Sequence, residues 1–445
     1  MPGHKGRAFL GCESMDITEI KGADVLHHAA GIIRESEENA AELFGAGATF
    51  YSTEGSSLCI KAMLEALLQA AQRDDRSHVI VASRNVHRAM VDASGLLDLD
   101  IRFVRDSGTG HICTSALTPE NLRGELSALD KKPLGVYVTS PDYLGQIQDI
   151  AELAKVCQHF DVPLVVDNAH GAYLHFLEKS IHPIALGAAM CCDSAHKTLP
   201  VLTGGAYLHV AKDYVEKYAW RIPGGMALFG STSPSYLILQ SLDLCNRYLS
   251  ENYRKRLGWL VKRLELCRDH MRQCGFVLRM SEHLKITIDA AGMGCCGKAL
   301  AEKLREQNIE CEYADEEYVV LMITTENTEE DIRRLESFAA SCTDKIFEPP
   351  ASGTAENSVK FAYPVDSRHR EEMGLGKVTR ACSIREALFA SSEEIPVTEA
   401  LGRILGMETV SCPPAVPIAV CGEEITSEMI LLFQRYDISK VTVLL

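Results

Sequence analysis

The sequence predicts an α/β fold: a mostly parallel sheet with helices on both faces, then a small α+β unit and a C-terminal segment. Two observations carry this. Short β-rich runs alternate with helical stretches from Ala48 to Asp167, the pattern of strand–crossover–strand units. After Leu237 the rhythm changes to a long helix and then a β-β-α-β-α block. With 445 residues, 46 % hydrophobic and 24 % charged, the chain has the balance of a globular protein of roughly two to four domains.

Residues 1–47 open irregularly around Gly3, Gly6 and Gly11, then read as helix from Ser36 to Phe44. Residues 48–240 form the main unit. Ala48–Tyr51 is its first strand and Ser56–Gln72 its first helix; Val79–Ala82, a helix at Val86–Gly95 and Ile101–Val104 continue the alternation. Gly135–Thr139, a helix over Ile150–His159 and the apolar strand Val162–Asp167 follow, and Ala185–Cys191 reads as the next strand. In 241–345, Arg256–Met271 mixes charged and apolar residues at helical spacing. Strands are expected there at Phe276–Arg279, Lys285–Asp289 and Tyr318–Ile323, with helices at Gly297–Asn308 and Glu329–Ser341. Pro349, Pro350, Gly353, Pro364, Gly374 and Gly376 mark 346–380 as a linker. Residues 381–445 hold a helix at Ser383–Ala390 and the turn-rich Cys412–Pro417. That stretch is short for a core of its own and is expected to pack on the rest.

Lysine and arginine number 45 against 61 acidic residues, a formal charge of −16. Phosphate affinity comes from clustered cations, so nucleic acid is not an expected partner. No apolar run reaches the ~18–20 residues of a membrane span, so no membrane partner is expected either. The 16 cysteines are scattered, with no Cys-x-x-Cys and no signal peptide before them. Such spacing supports neither a zinc cage nor a disulfide framework, and no metal is expected. Most of these thiols should be reduced, buried, small apolar groups of a cytoplasmic protein.

The chemistry concentrates in the α/β unit. Val162–Asp167 ends in a carboxylate, and Lys197 follows Asp167 by 30 residues, the length of one strand–crossover–strand repeat. Both fall at the carboxyl ends of neighbouring strands, where open α/β sheets bind ligands. An aspartate and a lysine there suit pyridoxal 5′-phosphate: the amine condenses with the aldehyde, and the carboxylate keeps the ring nitrogen protonated. Glu54–Gly55–Ser56–Ser57 lies between a strand and a helix, so backbone N–H groups and two hydroxyls can cradle the phosphate. Ser194 and His196 are further phosphate donors, and His87 is a candidate to stack on the ring. Singly, each has a plainer reading as a helix cap or a solvated end. Their order along the chain is what makes the joint reading strong.

With these residues in place the chain resembles the Orn/Lys/Arg decarboxylases, in particular the compact bacterial branch without the wing domain. The resemblance runs over nearly the whole chain. It includes Pro2–Gly3–His4–Lys5–Gly6, Asp16–Ile20 with Leu26–His27, Asn85–Val86–His87, Val166–Ala172 and Ser194–Ala195–His196–Lys197–Thr198–Leu199–Pro200. Ser231–Tyr236, Arg385–Glu386–Ala387, Pro413–Pro417 and Gly422–Glu423 extend it. It starts at residue 2, where family members carry a leading helical segment, so either the chain starts late or it dispenses with that arm.

The resemblance implies a pyridoxal-phosphate-dependent, aspartate-aminotransferase-type (fold type I) structure. It implies Lys197 as the lysine that carries the cofactor, Asp167 at the ring nitrogen, His87 on the ring face and His170 beside the ring. It further implies Gly55, Ser56, Ser57, Ser194 and His196 around the phosphate. Ser231, Thr232 and Ser233 resemble a loop that reaches a neighbouring subunit's site, so a homodimer or larger homo-oligomer is expected. Two positions depart from the family pattern. Pro141–Asp142–Tyr143 has a carboxylate where threonine is usual, and Glu54 adds charge beside the cradle. The expected activity is decarboxylation of arginine, lysine or ornithine, giving CO2 and a di- or polyamine. Transamination or another lyase reaction on the same fold is the alternative, followed by a non-catalytic regulator. The acidic net charge suits steering of a cationic substrate.

Overall fold

Runs of buried β-branched and small apolar residues set the main sheet in the computed structural model, which describes residues 2–72, 74–104, 111–114, 117–342, 378–407, 409–410 and 415–445. Helix α1 (Ile32–Leu43) leads into β1 (Ala48–Ser52), α2 (Gly55–Ala71), β2 (Val79–Ala82), α3 (Arg88–Leu97) and β3 (Asp100–Phe103). Then come α4 (Pro119–Ser127), β4 (Gly135–Thr139), α5 (Ile150–His159), β5 (Leu164–Asp167), β6 (Met190–Asp193), the single turn α6 (Ala195–Thr198) and β7 (Ala206–Val210). The seven strands lie in the order β1-β7-β6-β5-β4-β2-β3. From β6 to β3 every pair is parallel, while β7 runs antiparallel to both of its neighbours.

Parallel strands need cover on both faces. Val136, Val138, Val166 and Cys191 pack under α4 and α5 through Leu122, Leu126, Leu153 and Val156. The alternate residues Tyr137, Val165, Met190 and Cys192 pack under α2 and α3. Helix α2 is buried over most of its surface, with Leu58, Ile60, Met63, Leu64 and Leu67 all buried. Such a helix needs partners all round, and it lies between the sheet, α3 and α7 (Ile222–Phe229).

Helices α8 (Tyr236–Ser250) and α9 (Tyr253–Gln273) lead to a second sheet made of β8 (Leu278–Arg279), β9 (Lys285–Asp289), β10 (Tyr313–Ala314) and β11 (Tyr318–Met322). Its order is β10-β11-β9-β8, all antiparallel, accompanied by α10 (Gly297–Glu306) and α11 (Glu329–Cys342). Leu257, Leu260 and Leu264 of α9 share one core with Ile286, Ile288, Val319 and Leu321.

The C-terminal unit packs on the main one, as expected, but also has a core of its own despite its length. Helix α12 (Ile384–Phe389) joins the main core, placing Ile384 and Ala387 against α3, and Val420 and Cys421 join it too. The rest, β12 (Ser392–Pro396), β13 (Thr409–Val410), β14 (Pro417–Ala419), α13 (Ser427–Arg435) and β15 (Lys440–Leu444), follows in chain order. It encloses its own cluster around Ile395, Leu405, Ile418, Met429, Phe433 and Val443. Glu423 fastens this unit to the main one, taking Arg84 Nη1 and Nη2 at 2.5 and 2.7 Å.

Other differences have local causes. The strand expected at Ala185–Cys191 begins only at Met190, because Pro183–Leu186 forms a 3-10 turn that Gly187 ends at φ +102°. Strand β7 and helices α4, α7 and α13 went unread. Most of the expected linker, and Cys412–Pro414, fall outside the described residues. The fifteen described cysteines are all free and eleven are buried, as their composition suggested. Among the described residues no helix is long and apolar enough to cross a membrane.

One glycine ties the sheet to the cradle. Gly204, at φ +97°, accepts a hydrogen bond from the Gly55 N–H at 2.7 Å. A Cβ there would sit 2.7 Å from the Thr53 carbonyl oxygen. Gly204→Ala is expected to cost about 1–3 kcal/mol in denaturant unfolding, since both the backbone conformation and the space resist it. An unchanged unfolding midpoint would show that the turn relaxes freely.

Candidate active site

The site is assembled at the carboxyl ends of β4, β5 and β6. Asp167 ends β5, and its buried carboxylate is oriented by its own chain and by both adjacent strands. Tyr137 of β4 donates its hydroxyl to Oδ2 at 3.1 Å, Ala169 N–H donates to Oδ1 at 3.2 Å, and the Cys192 thiol of β6 lies 3.6 Å from Oδ1. The chain leaving β6 turns through Ser194 into α6, which carries Lys197. Lys197 Nζ lies 3.0 Å from His170 Nε2. Burial lowers the Lys197 pKa, opposed by the charges of Glu312 and Asp167. His170 is pushed well below its ordinary value by burial and then by Lys197, so its imidazole is neutral.

His87 stands at the start of α3, its Nδ1 accepting from Ala89 N–H at 3.1 Å. Its pKa is lowered by burial and raised by Asp167, so the ring lies within reach of that carboxylate's field. The C-terminal unit closes over this corner, where the Ala415 carbonyl accepts from Arg88 N–H at 3.0 Å.

The cradle forms where β1 turns into α2. Gly55 takes φ +72°, and no side chain caps the helix N-terminus. Ser194 Oγ donates to Ser56 Oγ at 2.9 Å, so two of the expected phosphate donors are brought together, while Ser57 is half-buried on the same first turn. His196 Nδ1 lies 3.0 Å from the Gly205 carbonyl, leaving Nε2 available. Glu54 is less intrusive than its charge suggested. Its Oε1 accepts from Ser231 N–H at 2.7 Å, which holds the exposed Ser231, Thr232 and Ser233 beside the cradle.

Tyr137, Lys285 and Glu312, which sequence reasoning passed over, line the same region together with Tyr143, read there only as part of a motif. Tyr137 has been described. Tyr143 packs edge-on against His170 at 5.2 Å and donates its hydroxyl to Glu312 Oε1 at 3.0 Å. Lys285, fully buried on β9, donates to the Asp142 and Tyr143 carbonyls at 3.1 and 3.2 Å. Glu312 and Lys285 come from the second sheet, more than a hundred residues from the motif they face, and no local pattern marks them.

Comparison with known proteins places this geometry. Residues 6–291 match the model of the family described as Orn/Lys/Arg decarboxylase, major domain. The chain belongs to the Orn/Lys/Arg decarboxylase family. An arginine decarboxylase of Bacillus subtilis is 29 % identical over 467 residues, covering 98 % of this chain and 90 % of the relative. An arginine decarboxylase of Halalkalibacterium halodurans is 29 % identical over 455 residues, covering 96 % and 87 %. Among solved structures, the lysine decarboxylase of Francisella novicida matches with a TM-score of 0.77 at 17 % identity, over 100 % of this chain and 78 % of that one. The constitutive lysine decarboxylase of Escherichia coli gives 0.76 at 17 %, over 100 % and 79 %. The expected fold and the expected class of reaction, decarboxylation of a basic amino acid, are both borne out.

In this decarboxylase Asp142 sits fully buried, with Gln146 N–H donating to Oδ1 at 2.9 Å and Oδ2 unpartnered. Burial raises its pKa from 3.8 to about 6, only partly offset by the Gln146 N–H and Lys285. A carboxyl raised in the folded state favours folding at low pH, and that advantage is lost as pH rises from 3.8 through about 6. Asp142→Asn is therefore expected to stabilise the decarboxylase by about 1–3 kcal/mol near pH 8 and hardly at all below about pH 4. Urea melts at the two pH values measure this, and an equal effect at both would refute a role for ionisation.

Proposed function

We propose that the chain is a pyridoxal-5′-phosphate-dependent decarboxylase with arginine as its foremost substrate among the basic amino acids. The observation that carries this reading is the desolvated Lys197 amine beside neutral His170, on a turn that faces the buried Asp167 carboxylate. Three features suit the cofactor. The first turn of α2 has no side-chain cap, Gly55 leaves open space where a Cβ would stand, and buried His170 Nδ1 has no protein partner.

Lys197 would hold the cofactor's aldehyde carbon, Asp167 its ring nitrogen, and His87 one ring face with His170 beside it. Gly55, Ser56, Ser57, Ser194 and His196 would hold its phosphate. When bound, pyridoxal phosphate supplies an electron sink for the pair released as CO2 leaves. The chain's own part is to position and to move protons. A lowered pKa keeps a fraction of Lys197 neutral, and Lys197 Nζ or His170 Nε2 would return the proton to the substrate Cα. Ser231, Thr232 and Ser233, exposed beside their own cradle, are the candidates to complete a second copy's site in a homodimer. Free, mostly buried thiols suit a cytoplasmic protein.

A cationic head group needs an acidic partner, and we assign that part to half-buried Glu312, whose charge acts on Lys197 and which Tyr143 orients. A carboxylate accepts two parallel N–H bonds from a guanidinium, a geometry an ammonium lacks. The near-full-length relatives named arginine decarboxylases support the same choice.

Purified protein with added cofactor is to be given a panel of amino acids, with CO2 and amine product measured. Arginine should give the highest kcat/KM, and Lys197→Ala should lose the visible band of the lysine-bound cofactor and about 100-fold or more of the activity. A normal band with no CO2 from arginine, lysine or ornithine sinks the activity while leaving cofactor binding intact. Glu312→Gln should raise KM for arginine about 10–100-fold, the loss of one charge-assisted pair. An unchanged KM removes Glu312 from substrate recognition.

A further inference from the structure

Below the turn that carries Lys197, a second set of ionisable side chains is closed off from water. Asp193, His182 and His209 are each 0 % exposed. The sheet builds the group. Cys191 and Asp193 alternate to the same face of β6, away from Cys192 and Asp167, and the antiparallel register sets His209 of β7 opposite Cys191. His182 arrives from the loop just before the Pro183–Leu186 turn.

The geometry converges on one oxygen. His182 Nε2 and His209 Nε2 lie 3.0 and 3.3 Å from Asp193 Oδ2, and Cys191 Sγ lies 3.9 Å from His182 Nε2. The second polar atoms of Asp193 and His209 are already engaged. Asn168 Nδ2 donates to Asp193 Oδ1 at 2.7 Å, and Thr49 Oγ1 lies 2.8 Å from His209 Nδ1. Asp193 Oδ2 is shared between the two imidazoles: His182 Nε2 is hydrogen-bonded to it at 3.0 Å, and buried His182 Nδ1 has no partner. His209 Nε2, although fully buried and aimed at this oxygen, has no aligned hydrogen bond. In a four-coordinate zinc site with N and O ligands at ~2.0–2.1 Å, neighbouring ligand atoms stand about 3.3 Å apart.

We propose that His182, Asp193 and His209, whose ligand atoms all lie within 4.8 Å of one another, hold a structural zinc-class divalent cation, with the Cys191 thiol turning in from beside His182 as the fourth ligand. The charges favour it. One carboxylate and one thiolate neutralise a dication, so a complex of no net charge is buried, and the Cys191 proton leaves to solvent on binding. The group has no solvent-facing side, which marks a closed site rather than a catalytic one. Thr49 and Asn168 serve as the outer partners that orient His209 and Asp193. Bound there, the cation ties β6, β7 and the loop containing His182 together, four residues before Lys197.

Metal content decides the matter. Protein produced with zinc and dialysed into metal-free buffer should retain about one zinc per chain, with one sulfur at about 2.3 Å and three N or O ligands at about 2.0 Å by X-ray absorption. Asp193→Asn and His209→Gln should each lower the zinc content at least about tenfold, a loss of the order seen when supporting groups of metal sites are removed. Should those variants fail to fold, wild-type protein refolded from denaturant with chelator provides the test: its Tm should rise with Zn2+ and not with Mg2+. Zinc content unaffected by His209→Gln, a shell without sulfur, or a metal-free protein whose Tm ignores Zn2+ overturns the proposal.

Discussion

Lys197 and Asp167 meet because two parallel strands end together at one edge of the sheet. β5 and β6 pair from Val165–Met190 to Asp167–Cys192, and the Asn168 N–H extends the ladder to the Cys192 carbonyl at 2.9 Å. The chain leaving β6 must therefore turn next to the carboxylate that ends β5. Packing does the rest. With the sheet covered on both faces, the turn lies over a dry core, and a lysine placed there loses the water that would keep its amine fully charged. The basicity of Lys197, the neutrality of His170 and the orientation of Asp167 all descend from that one register.

Much of this was legible because it is local. β2, β4, β9 and α5 end where apolar patterning puts them, and the motif residues around Lys197, Asp167 and Ser56 lie on the turns that a strand-to-helix crossover creates. The illegible parts depend on distance. β7 is as long as the strands that were legible, but nothing in Ala206–Val210 says that it runs against both neighbours. Glu312 and Lys285 reach the site only because the second sheet folds back against the Asp142–Tyr143 segment. His182, Asp193 and His209 lack the compact spacing of a metal motif; strand register alone brings them together. In the C-terminal unit, apolar residues spread from Ile395 to Val443 make a core that no short window displays.

The two departures from the family pattern show how context sets the meaning of a charge. Glu54, beside the expected phosphate cradle, would repel such a ligand if its carboxylate turned that way. Instead its Oε1 is occupied by the Ser231 N–H, so its charge serves to fix the exposed loop. Asp142 is harder to accommodate, because burial opposes its ionisation. The nearby Lys285 ammonium donates to the backbone carbonyls of Asp142 and Tyr143 rather than to the carboxylate. That leaves one buried cation and one buried acid near each other without a direct pair, an arrangement that costs stability unless position is gained in return. The position gained is that of Tyr143, whose ring meets His170 and whose hydroxyl holds Glu312.

Strand β6 thus separates two kinds of polar chemistry by alternation alone. Cys192 turns to Asp167, while Cys191 and Asp193 turn to the closed histidine pair. One face carries the desolvated Lys197 amine beside His170, and the other carries a set of ionisable groups closed off from water. Because Asp193 is followed directly by Ser194 and α6, any slack in the closed face would reach Lys197 within one helical turn. A rigid cluster beneath the turn would hold Lys197 in place above it.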